Sequence, residues 1–303
     1  MGFILQVTQA IMFKIINKQL LNQNIKRLDI SAPEIAKKFL PGQYVLVAPT
    51  AQDHPIPLTI VETDERKGSI SLIIHEVGHM TQQIGMMSIH QDIHLIQGPL
   101  GIPASVQKYG CVVCVARGIG AAQMLPICRA LKKAGNKVIG IIGAKTKRAL
   151  MLESQMRIVC DEIYITTNDG SYERRGLASE FLRTFLEKQA VDCVYAAGSV
   201  DMMEAAALMA KERNIPIFVT LNPEILDAVG LSGACRVRVD GKICLASIDG
   251  PHFNGHLVDF QYLRMRMDAY KENDEWGNLQ QPNNPKTDES KTFPKFLSGI
   301  LKR

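Results

Sequence analysis

Apolar and polar residues alternate along the first hundred residues in short runs, which polar or glycine-containing turns interrupt. Alternation with a period of two is typical of β-strands with one buried face, and several such strands at this spacing suggest a closed barrel. The predicted strands lie in FKIINKQLLNQNIKRLDI, which folds back at an Asn-rich turn, and in YVLVAP, LTIVE, SISLIIHEVG and DIHLIQGPLG.

The pattern changes between about residue 103 and residue 222, where compact apolar runs alternate with segments of helical periodicity. Strands that alternate with helices of this length form βαβ units, which build a doubly wound sheet of parallel strands. The predicted strands are CVVCVA, KVIGIIGA, EIYITT, VDCVYAAGS and IPIFVTL, and the predicted helices are AAQMLPICRALKKAG, RALMLESQMRIVC, LASEFLRTFLEKQ and MMEAAALMAKERN.

The remainder of the chain lacks a clear period. Residues 223–263 are rich in glycine and are predicted to form a small loop-built module. Residues 264–303 are predicted to form a C-terminal arm, extended and polar beyond Lys271, whose end KFLSGILKR can dock as a short amphipathic helix. The sequence therefore predicts a β-barrel over 1–102, a doubly wound α/β domain over 103–222, this module and the arm.

Composition and charge narrow the function classes. The chain of 303 residues has 46% hydrophobic and 21% charged residues, which are values of a globular protein. We expect no membrane span, because no apolar run is long enough, and no secretory signal, because the N-terminus lacks a basic region and a cleavage site. Seven cysteines without a framework spacing favour a reducing compartment, so we expect a cytoplasmic protein. A net charge of +5 and 6% aromatic residues give nucleic-acid binding no support.

A glycine-rich turn opens the predicted α/β domain. Gly118, Ile119 and Gly120 stand between a strand and a helix, where backbone N–H groups and the helix dipole favour a pyrophosphate. The motif is only Gly-x-Gly, because Gln123 stands where a dinucleotide fingerprint has its third glycine. A packing turn without a ligand is therefore the alternative interpretation.

Polar residues follow the next predicted strands, at the edge where ligands of open α/β sheets bind. Lys145, Lys147 and Arg148 are placed to meet an adenosine ribose or a 2′-phosphate, although solvated charges at a helix start explain them equally well. Asp169 follows the third strand and the Gly198–Ser199 pair follows the fourth. The position of these residues at the carboxyl edge of the sheet, rather than their residue type, indicates a ligand-binding site.

Two segments of the predicted barrel end in a hydroxyl residue after a rigid or glycine-containing turn. Such a turn can hold a phosphate or the edge of a ring system, although each segment alone is an ordinary turn. The segments are Pro55-Ile56-Pro57-Leu58-Thr59 and Gly78-His79-Met80-Thr81.

The order of these motifs resembles the ferredoxin–NADP reductase superfamily: Pro-Leu-Thr and Gly-x-x-Thr in a barrel, Gly-Pro-Leu-Gly at 98–101, then Gly-x-Gly at the start of a nucleotide domain. Three longer stretches look like the small subunit of NADH-dependent ferredoxin:NADP oxidoreductase, also called the sulfide dehydrogenase small subunit. That subunit is a relative of the electron-transfer subunit of dihydroorotate dehydrogenase. The stretches are IIGAKTKRALMLESQMR, EIYITTNDGSYERRG and VDGKICLASIDGPHFNGHLVDF.

The resemblance implies an oxidoreductase subunit with FAD in the barrel and NAD(H) or NADP(H) in the α/β domain. It also implies a C-terminal [2Fe–2S] cluster that hands electrons to a larger flavoprotein or iron–sulfur subunit, with ferredoxin as a further possible acceptor. Hydride transfer between the cofactors needs no side-chain acid or base, so we name no catalytic residue. Carried over by position, the cofactor-binding residues are Ile56, Pro57, Leu58, Thr59, Ile73, Ile74, His75, Gly78, Met80 and Thr81 for FAD, and Gly118, Ile119, Gly120, Lys145, Asp169, Gly198 and Ser199 for the nucleotide.

The C-terminal module departs from this family. Plant-type cluster ligands fall at Cys-x4-Cys-x2-Cys…Cys, and the matching positions here are Asp227, Ser232, Cys235 and Ser247. Aspartate is an accepted first ligand in the family, whereas serine is a hard and poor replacement for thiolate. We therefore expect no metal at these degenerate positions and no [2Fe–2S] cluster, unless a loop shift lets Cys244 supply a ligand.

Two other departures concern the cofactors. Asp53 and His54 stand where the family usually places an arginine for the FAD pyrophosphate. Ala116 and Arg117 replace the first two glycines of a Gly-Gly-Gly-x-Gly turn, which adds bulk at its mouth.

Cys111 and Cys114 form a Cys-x-x-Cys pair, which we interpret as core residues because side chains on a buried strand need not meet.

Two hypotheses remain open. The first is an FAD-containing electron-transfer subunit that exchanges a hydride with NAD(P)H and passes electrons directly to a larger partner, as the retained Gly118, Gly120, Thr59 and Thr81 suggest. The second is a non-catalytic scaffold that keeps the reductase fold to hold a larger flavoprotein, as the departures suggest. The sequence leaves open the choice between NAD and NADP, the partner and the direction of electron flow.

Overall fold

The computed structural model describes residues 12–279, and its N-terminal part is an antiparallel barrel. The segments with period-two alternation all form strands, as the sequence predicts. Their apolar faces bury Ile15, Leu28, Ile30 and Leu72 completely in the barrel interior. The strands are β1 (Phe13–Asn22), β2 (Ile25–Ser31), β3 (Tyr44–Ala48), β4 (Ile56–Asp64), β5 (Ser69–His75), β6 (Asp92–Ile93) and β7 (Leu95–Leu100).

The chain itself nearly closes this barrel. The strands hydrogen-bond in the order β6-β1-β2-β5-β4-β3-β7, so the two ends of the sheet are consecutive strands. His94 alone separates β6 from β7 in sequence and joins the two edges. Register shifts in β1 and in β4 bend the strands further, as bulges do, and this curvature lets the sheet roll up.

Two short helices interrupt the barrel, and the sequence pattern predicts neither of them. They are α1 (Pro33–Lys38), which starts at a proline, and α2 (His79–Met86), which begins directly after Gly78. Both pack on the barrel interior, α1 through Ile35 and α2 through Ile84. Elements this short contain too few apolar residues to reveal a helical period.

The second part of the structure is the predicted doubly wound sheet. Its strands are β8 (Cys111–Arg117), β9 (Lys137–Ala144), β10 (Glu162–Thr167), β11 (Arg174–Arg175), β12 (Cys193–Ala197) and β13 (Ile217–Thr220). The strands are parallel and ordered β11-β10-β9-β8-β12-β13. The order reverses between β8 and β12, and this switch point is where such sheets bind ligands.

Helices cover both faces of this sheet. They are α3 (Gly120–Lys133), α4 (Glu153–Val159), α5 (Ala178–Lys188) and α6 (Val200–Glu212). Side chains of α3 and α4 pack with Cys114 of β8, and those of α5 and α6 pack with Val113 on the opposite face. The helix predicted over RALMLESQMRIVC is wrong in its first half: Leu152 takes a left-handed φ of 56°, and the helix starts only at Glu153.

The C-terminal module is joined to the doubly wound sheet. It contributes the hairpin strands β14 (Arg236–Val239) and β15 (Lys242–Leu245), then β16 (His252–Asn254), which pairs antiparallel with β13. The helix α7 (Phe260–Leu279) follows, and Arg264 on it forms ion pairs with Asp201 and Glu204 of α6. The extended arm that we predict beyond Lys271 is therefore wrong up to Leu279. The predicted helix in KFLSGILKR lies outside the described residues.

One buried histidine links the barrel to this assembly. His252 Nε2 lies 2.9 Å from the carbonyl oxygen of Gly42, and its Nδ1 lies 3.0 Å from Thr220 Oγ1. Because a carbonyl can only accept, Nε2 donates to Gly42, and in the neutral ring Nδ1 then accepts from the threonine hydroxyl. A Cβ at Gly42 would lie 2.3 Å from Nε2, so only glycine admits the ring. Burial lowers the pKa of His252 to about 4.

None of the helices in residues 12–279 is long and apolar enough to cross a membrane. All seven cysteines are free thiols. Cys111 and Cys114 pack toward opposite faces of the sheet, which agrees with their interpretation as core residues.

The neutral ring of His252 makes stability depend on pH. In the unfolded chain His252 binds a proton below its usual pKa of 6.5, whereas in the folded chain it stays neutral down to about pH 4. The free energy of unfolding therefore decreases as the pH falls through this window. We expect this residue to account for up to about 3 kcal/mol of the loss. Urea unfolding between pH 8 and pH 4 should show a flatter profile for His252→Gln than for the wild type. The exposed His94→Gln serves as control, and parallel profiles for wild type and His252→Gln would contradict the assignment.

Candidate functional site

The predicted flavin-binding residues on β4 and β5 divide between the two faces of the barrel wall. Leu58 and Ile74 point into the barrel interior, and Ile56 packs against the same cluster, so these three offer a ligand only their backbone. By strand alternation, Pro57, Thr59, Ile73 and His75 face outward. Burial lowers the pKa of His75, so a neutral ring is favoured there.

The outward face of the barrel meets the α/β domain. Ile73 and Val61 pack in one cluster with Ala121 and Ala122, which lie in the first turn of α3. Farther along α3, Arg129 forms an ion pair of 3.1 Å with Glu62 of β4. The predicted flavin face and the Gly-x-Gly turn are therefore neighbours, and a ring system on β4 and β5 would lie beside a nucleotide at that turn.

The Gly78–Thr81 segment is the start of α2. Thr81 Oγ1 accepts hydrogen bonds from the backbone N–H groups of Gly78 (3.0 Å) and Val77 (3.1 Å) and donates to the Gly78 carbonyl (2.9 Å). The hydroxyl thus shapes the turn and is already engaged. Nothing lies within 4 Å of a Cβ built on Gly78, so the approach to this helix end is open, and Met80 is partly buried beside it. A phosphate at this place would meet backbone N–H groups.

Asp53 replaces the expected arginine and is held by neutral donors. Its Oδ2 accepts from the Thr50 N–H (3.0 Å), the Thr50 hydroxyl (2.6 Å) and Gln83 Nε2 of α2 (3.0 Å). The other amide atom of that side chain, Gln83 Oε1, is buried and has no hydrogen-bond partner among the described residues. An unpaired acceptor beside an open helix end fits a ligand that carries both hydroxyls and phosphates, as FAD does. His54 is exposed.

Three glycines bring two loops together at the switch point. A Cβ on Gly120 would lie 2.1 Å from the Ala197 carbonyl oxygen, and one on Gly198 would lie 2.8 Å from the Arg117 carbonyl oxygen. Gly118 has a φ of 56°, and nothing lies within 4 Å of its Cβ position. The backbone therefore packs tightly around the turn while the space over Gly118 stays open, which is the requirement for a pyrophosphate to approach.

Two helices begin at this opening without a side-chain cap. Ile119 precedes α3 and Ser199 precedes α6, and neither makes a capping hydrogen bond with its side chain. In α3 the N–H groups of Ala121 and Ala122 already bond to the carbonyl oxygens of Gly118 (3.0 Å) and Ile119 (2.9 Å), so the first N–H groups of α6 are the ones available to an anion. Behind the opening, Gln123 Nε2 donates to Asn222 Oδ1 at 2.6 Å and the reverse contact is 3.4 Å. Sequence reasoning noted Gln123 only as a missing glycine and missed this amide pair.

The residues after β9 and β10 build a basic loop. Asp169 Oδ1 accepts from the N–H and the hydroxyl of Ser171, and these bonds lower the pKa of the aspartate. Ser171 Oγ in turn accepts from the Lys147 N–H at 2.8 Å, and Lys147 Nζ lies 4.7 Å from the centre of the Tyr172 ring. Asp169 thus orders the loop, while Lys145 stays exposed at the edge.

The four degenerate cluster positions form two hydrogen-bonded pairs, Asp227 with Ser232 and Cys235 with Ser247. Asp227 accepts from the N–H groups of Val229, Leu231 and Ser232, each at 3.0 Å, and the Ser232 hydroxyl with these donors lowers its pKa to about 2. Cys235 Sγ and Ser247 Oγ lie 3.1 Å apart, and both residues are buried.

These residues do not fit a [2Fe–2S] cluster. Such a cluster needs four thiolates or close substitutes, but this set has one thiol, one carboxylate and two hydroxyls. The carboxylate already accepts hydrogen bonds from loop N–H groups, and the Cys235 thiol is hydrogen-bonded to the Ser247 hydroxyl. Cys244 lies on β15 opposite Val237, and no hydrogen bond joins it to the other positions in the described part of the chain.

Comparisons with known proteins agree with this architecture. Residues 12–103 match the oxidoreductase FAD-binding domain family. A Thermotoga maritima homolog of the electron transfer subunit of dihydroorotate dehydrogenase B is 33% identical over 86% of this chain and 92% of its own length. This chain belongs to the family of those electron transfer subunits. A Methanopyrus kandleri protein named as a probable member is 30% identical over 73% of this chain and 81% of its own length.

A solved structure extends the family relationship to the whole fold. It comes from work on flavin-based electron bifurcation by the NADH-dependent reduced ferredoxin-NADP oxidoreductase. The TM-score is 0.83 at 31% identity, over 90% of this chain and all of that one. The resemblance to this reductase and to the dihydroorotate dehydrogenase electron-transfer subunits is thus confirmed, and the family has a redox role with an FAD-binding domain.

The two serines are the feature that makes this family member unfit for a cluster. We expect Ser232→Cys/Ser247→Cys, produced and purified without oxygen, to gain iron and sulfide together with visible absorption beyond that of flavin. The wild type should hold well under one iron per chain. Ser88→Cys/Ser105→Cys, which adds two thiols at exposed positions, controls for adventitious iron. Stoichiometric iron in the wild type, or none in the double variant, would contradict the argument.

Proposed function

We propose that this chain is an FAD-containing electron-transfer subunit that exchanges a hydride with NADH or NADPH and passes electrons to a larger partner protein without a cluster of its own. The observation that carries the proposal is the glycine turn at the switch point. Its backbone packs tightly through Gly120 and Gly198 yet stays open over Gly118, directly beside the outward face of β4 and β5.

The proposal assigns a role to individual residues, which their placement supports. Thr59, Ile73 and His75 face the side on which a flavin ring would lie, and the N–H groups that follow Gly78 in the first turn of α2 would meet its phosphates. When bound, FAD supplies the ability to take up two electrons together and release them singly. This chain orients the two cofactors, keeps them adjacent through the contact of α3 with the barrel, and excludes water with the apolar cluster around Ile73.

A larger partner is supported by the relatives, which are named as electron transfer subunits. Without a cluster, the flavin itself must come within reach of the partner's acceptor. Ferredoxin is the alternative acceptor within this proposal. The free state of all seven cysteines agrees with a reducing compartment, for which we propose the cytoplasm.

One observation favours the second candidate, a non-catalytic scaffold. Asp53 puts a negative charge where the FAD pyrophosphate would need a positive one, and its three hydrogen bonds hold the loop without any cofactor. Flavin content separates the two candidates. A scaffold would stay colourless after incubation with FAD, whereas an electron-transfer subunit would retain about one flavin per chain.

The proposal predicts flavin absorption that NADH or NADPH bleaches in the anaerobically purified protein, with no iron–sulfur shoulders. Gly118→Ala should slow the bleaching by about tenfold or more, because a methyl group would enter the open space over the turn. Gly135→Ala is the matched control: Gly135 also has a left-handed φ and nothing within 4 Å, but it lies at the far end of α3. Equal bleaching rates in the two variants would argue against a nucleotide at Gly118.

The choice between NADH and NADPH has its own test. If the basic loop binds a 2′-phosphate, Lys147→Ala/Arg148→Ala should weaken the binding of NADPH by about tenfold and that of NADH only slightly. Both affinities are measured from the concentration dependence of flavin bleaching. Lys133→Ala/Lys188→Ala removes the same charge at the opposite edge of the sheet and should change neither. An equal loss for both nucleotides would contradict a 2′-phosphate site.

A further inference from the structure

Arg117 lies at the switch point of the doubly wound sheet, where such sheets bind ligands. It is the last residue of β8, and the neighbouring strand β12 is the one at which the strand order reverses. The helices that follow these two strands, α3 and α6, pack on opposite faces. A ligand at the carboxyl edge therefore lies between them, directly over the end of β8.

The backbone of Arg117 is held by the next loop. A Cβ on Gly198 would lie 2.8 Å from the Arg117 carbonyl oxygen, 3.0 Å from its Cβ and 3.1 Å from its nitrogen. Along β8, Val113 and Val115 pack on the face that α6 covers, and Ala116 packs on the other. Alternation therefore puts the Arg117 side chain on the α6 side, next to Gly198 and Ser199.

The charge of Arg117 has no partner among the side chains that the structure describes. The residue is partly buried, and its guanidinium makes no hydrogen bond or ion pair with any of the side chains described over residues 12–269. Arg129 and Arg264, by contrast, form ion pairs with glutamates. The acid in the first turn of α6, Asp201, is engaged by Arg264 at 3.3 Å. A partly desolvated cation gains from an anion that replaces the lost hydration.

We propose that Arg117 binds a phosphate of the dinucleotide pyrophosphate and thereby sets the affinity of this chain for its nucleotide. This rests on the proposed function, because it assumes that a dinucleotide occupies the turn. A glycine is expected at this place from the family pattern, so the contact is a property of this chain. A guanidinium also suits the task chemically, because its planar donors match phosphate oxygens in pairs.

The test compares ligands with and without phosphate on the full-length protein. Equilibrium dissociation constants for ADP-ribose and for adenosine are measured by calorimetry for the wild type, Arg117→Gln and Arg117→Lys. We expect Arg117→Gln to weaken the binding of ADP-ribose by about tenfold and to leave the binding of adenosine unchanged. Arg117→Lys should keep most of the affinity for ADP-ribose. The ADP-ribose affinity of Arg117→Gln should also depend less on salt. Thermal unfolding of each variant confirms that it is folded.

Other outcomes overturn the proposal. The phosphate contact is contradicted if Arg117→Gln binds ADP-ribose as tightly as the wild type does, or if it loses affinity for adenosine equally. Either result leaves the proposed function intact as long as the wild type binds ADP-ribose. Tighter binding by Arg117→Gly would show that the side chain obstructs the turn, which also overturns it. A wild type that binds neither ADP-ribose nor NADH contradicts the proposed function itself, and the role of Arg117 with it.

Discussion

The close approach of two backbone segments at the switch point is the constraint on which the candidate site depends. Gly120 packs its Cα against the Ala197 carbonyl, and Gly198 packs against the backbone of Arg117, so each loop occupies space that a side chain would otherwise fill. This contact fixes where α3 and α6 begin, so both helices start at one opening. The same first turn of α3 packs on the barrel, so the contact also sets the distance between the two predicted cofactor sites.

The C-terminal module keeps its shape through hydrogen bonds at positions whose groups do not suit an iron–sulfur cluster. Asp227 takes up three loop N–H groups, and Cys235 bonds to Ser247 in the interior. Every polar group at these positions thus has a partner within the protein, which removes the cost of burying it. Strand β16 and His252 then attach the module to the sheet and to the barrel, so it stays ordered as part of one structure.

The two departures at the cofactor sites have opposite signs of charge. Asp53 makes the flavin end of the site more negative than the family pattern, and Arg117 makes the nucleotide end more positive. Charge near a binding cleft changes both affinity and the rate at which charged ligands arrive.

The sequence alone determined the barrel, the doubly wound sheet and the family, because strand and βαβ periodicity are local patterns and the glycine turns are contiguous in sequence. It also determined that Ser232 and Ser247 are poor ligands, since that depends on residue chemistry. Only the tertiary structure decided which barrel residues face outward, that α7 continues to Leu279, and that Gln123 pairs with Asn222. These features depend on contacts between distant segments, for which a sequence carries no periodic signal.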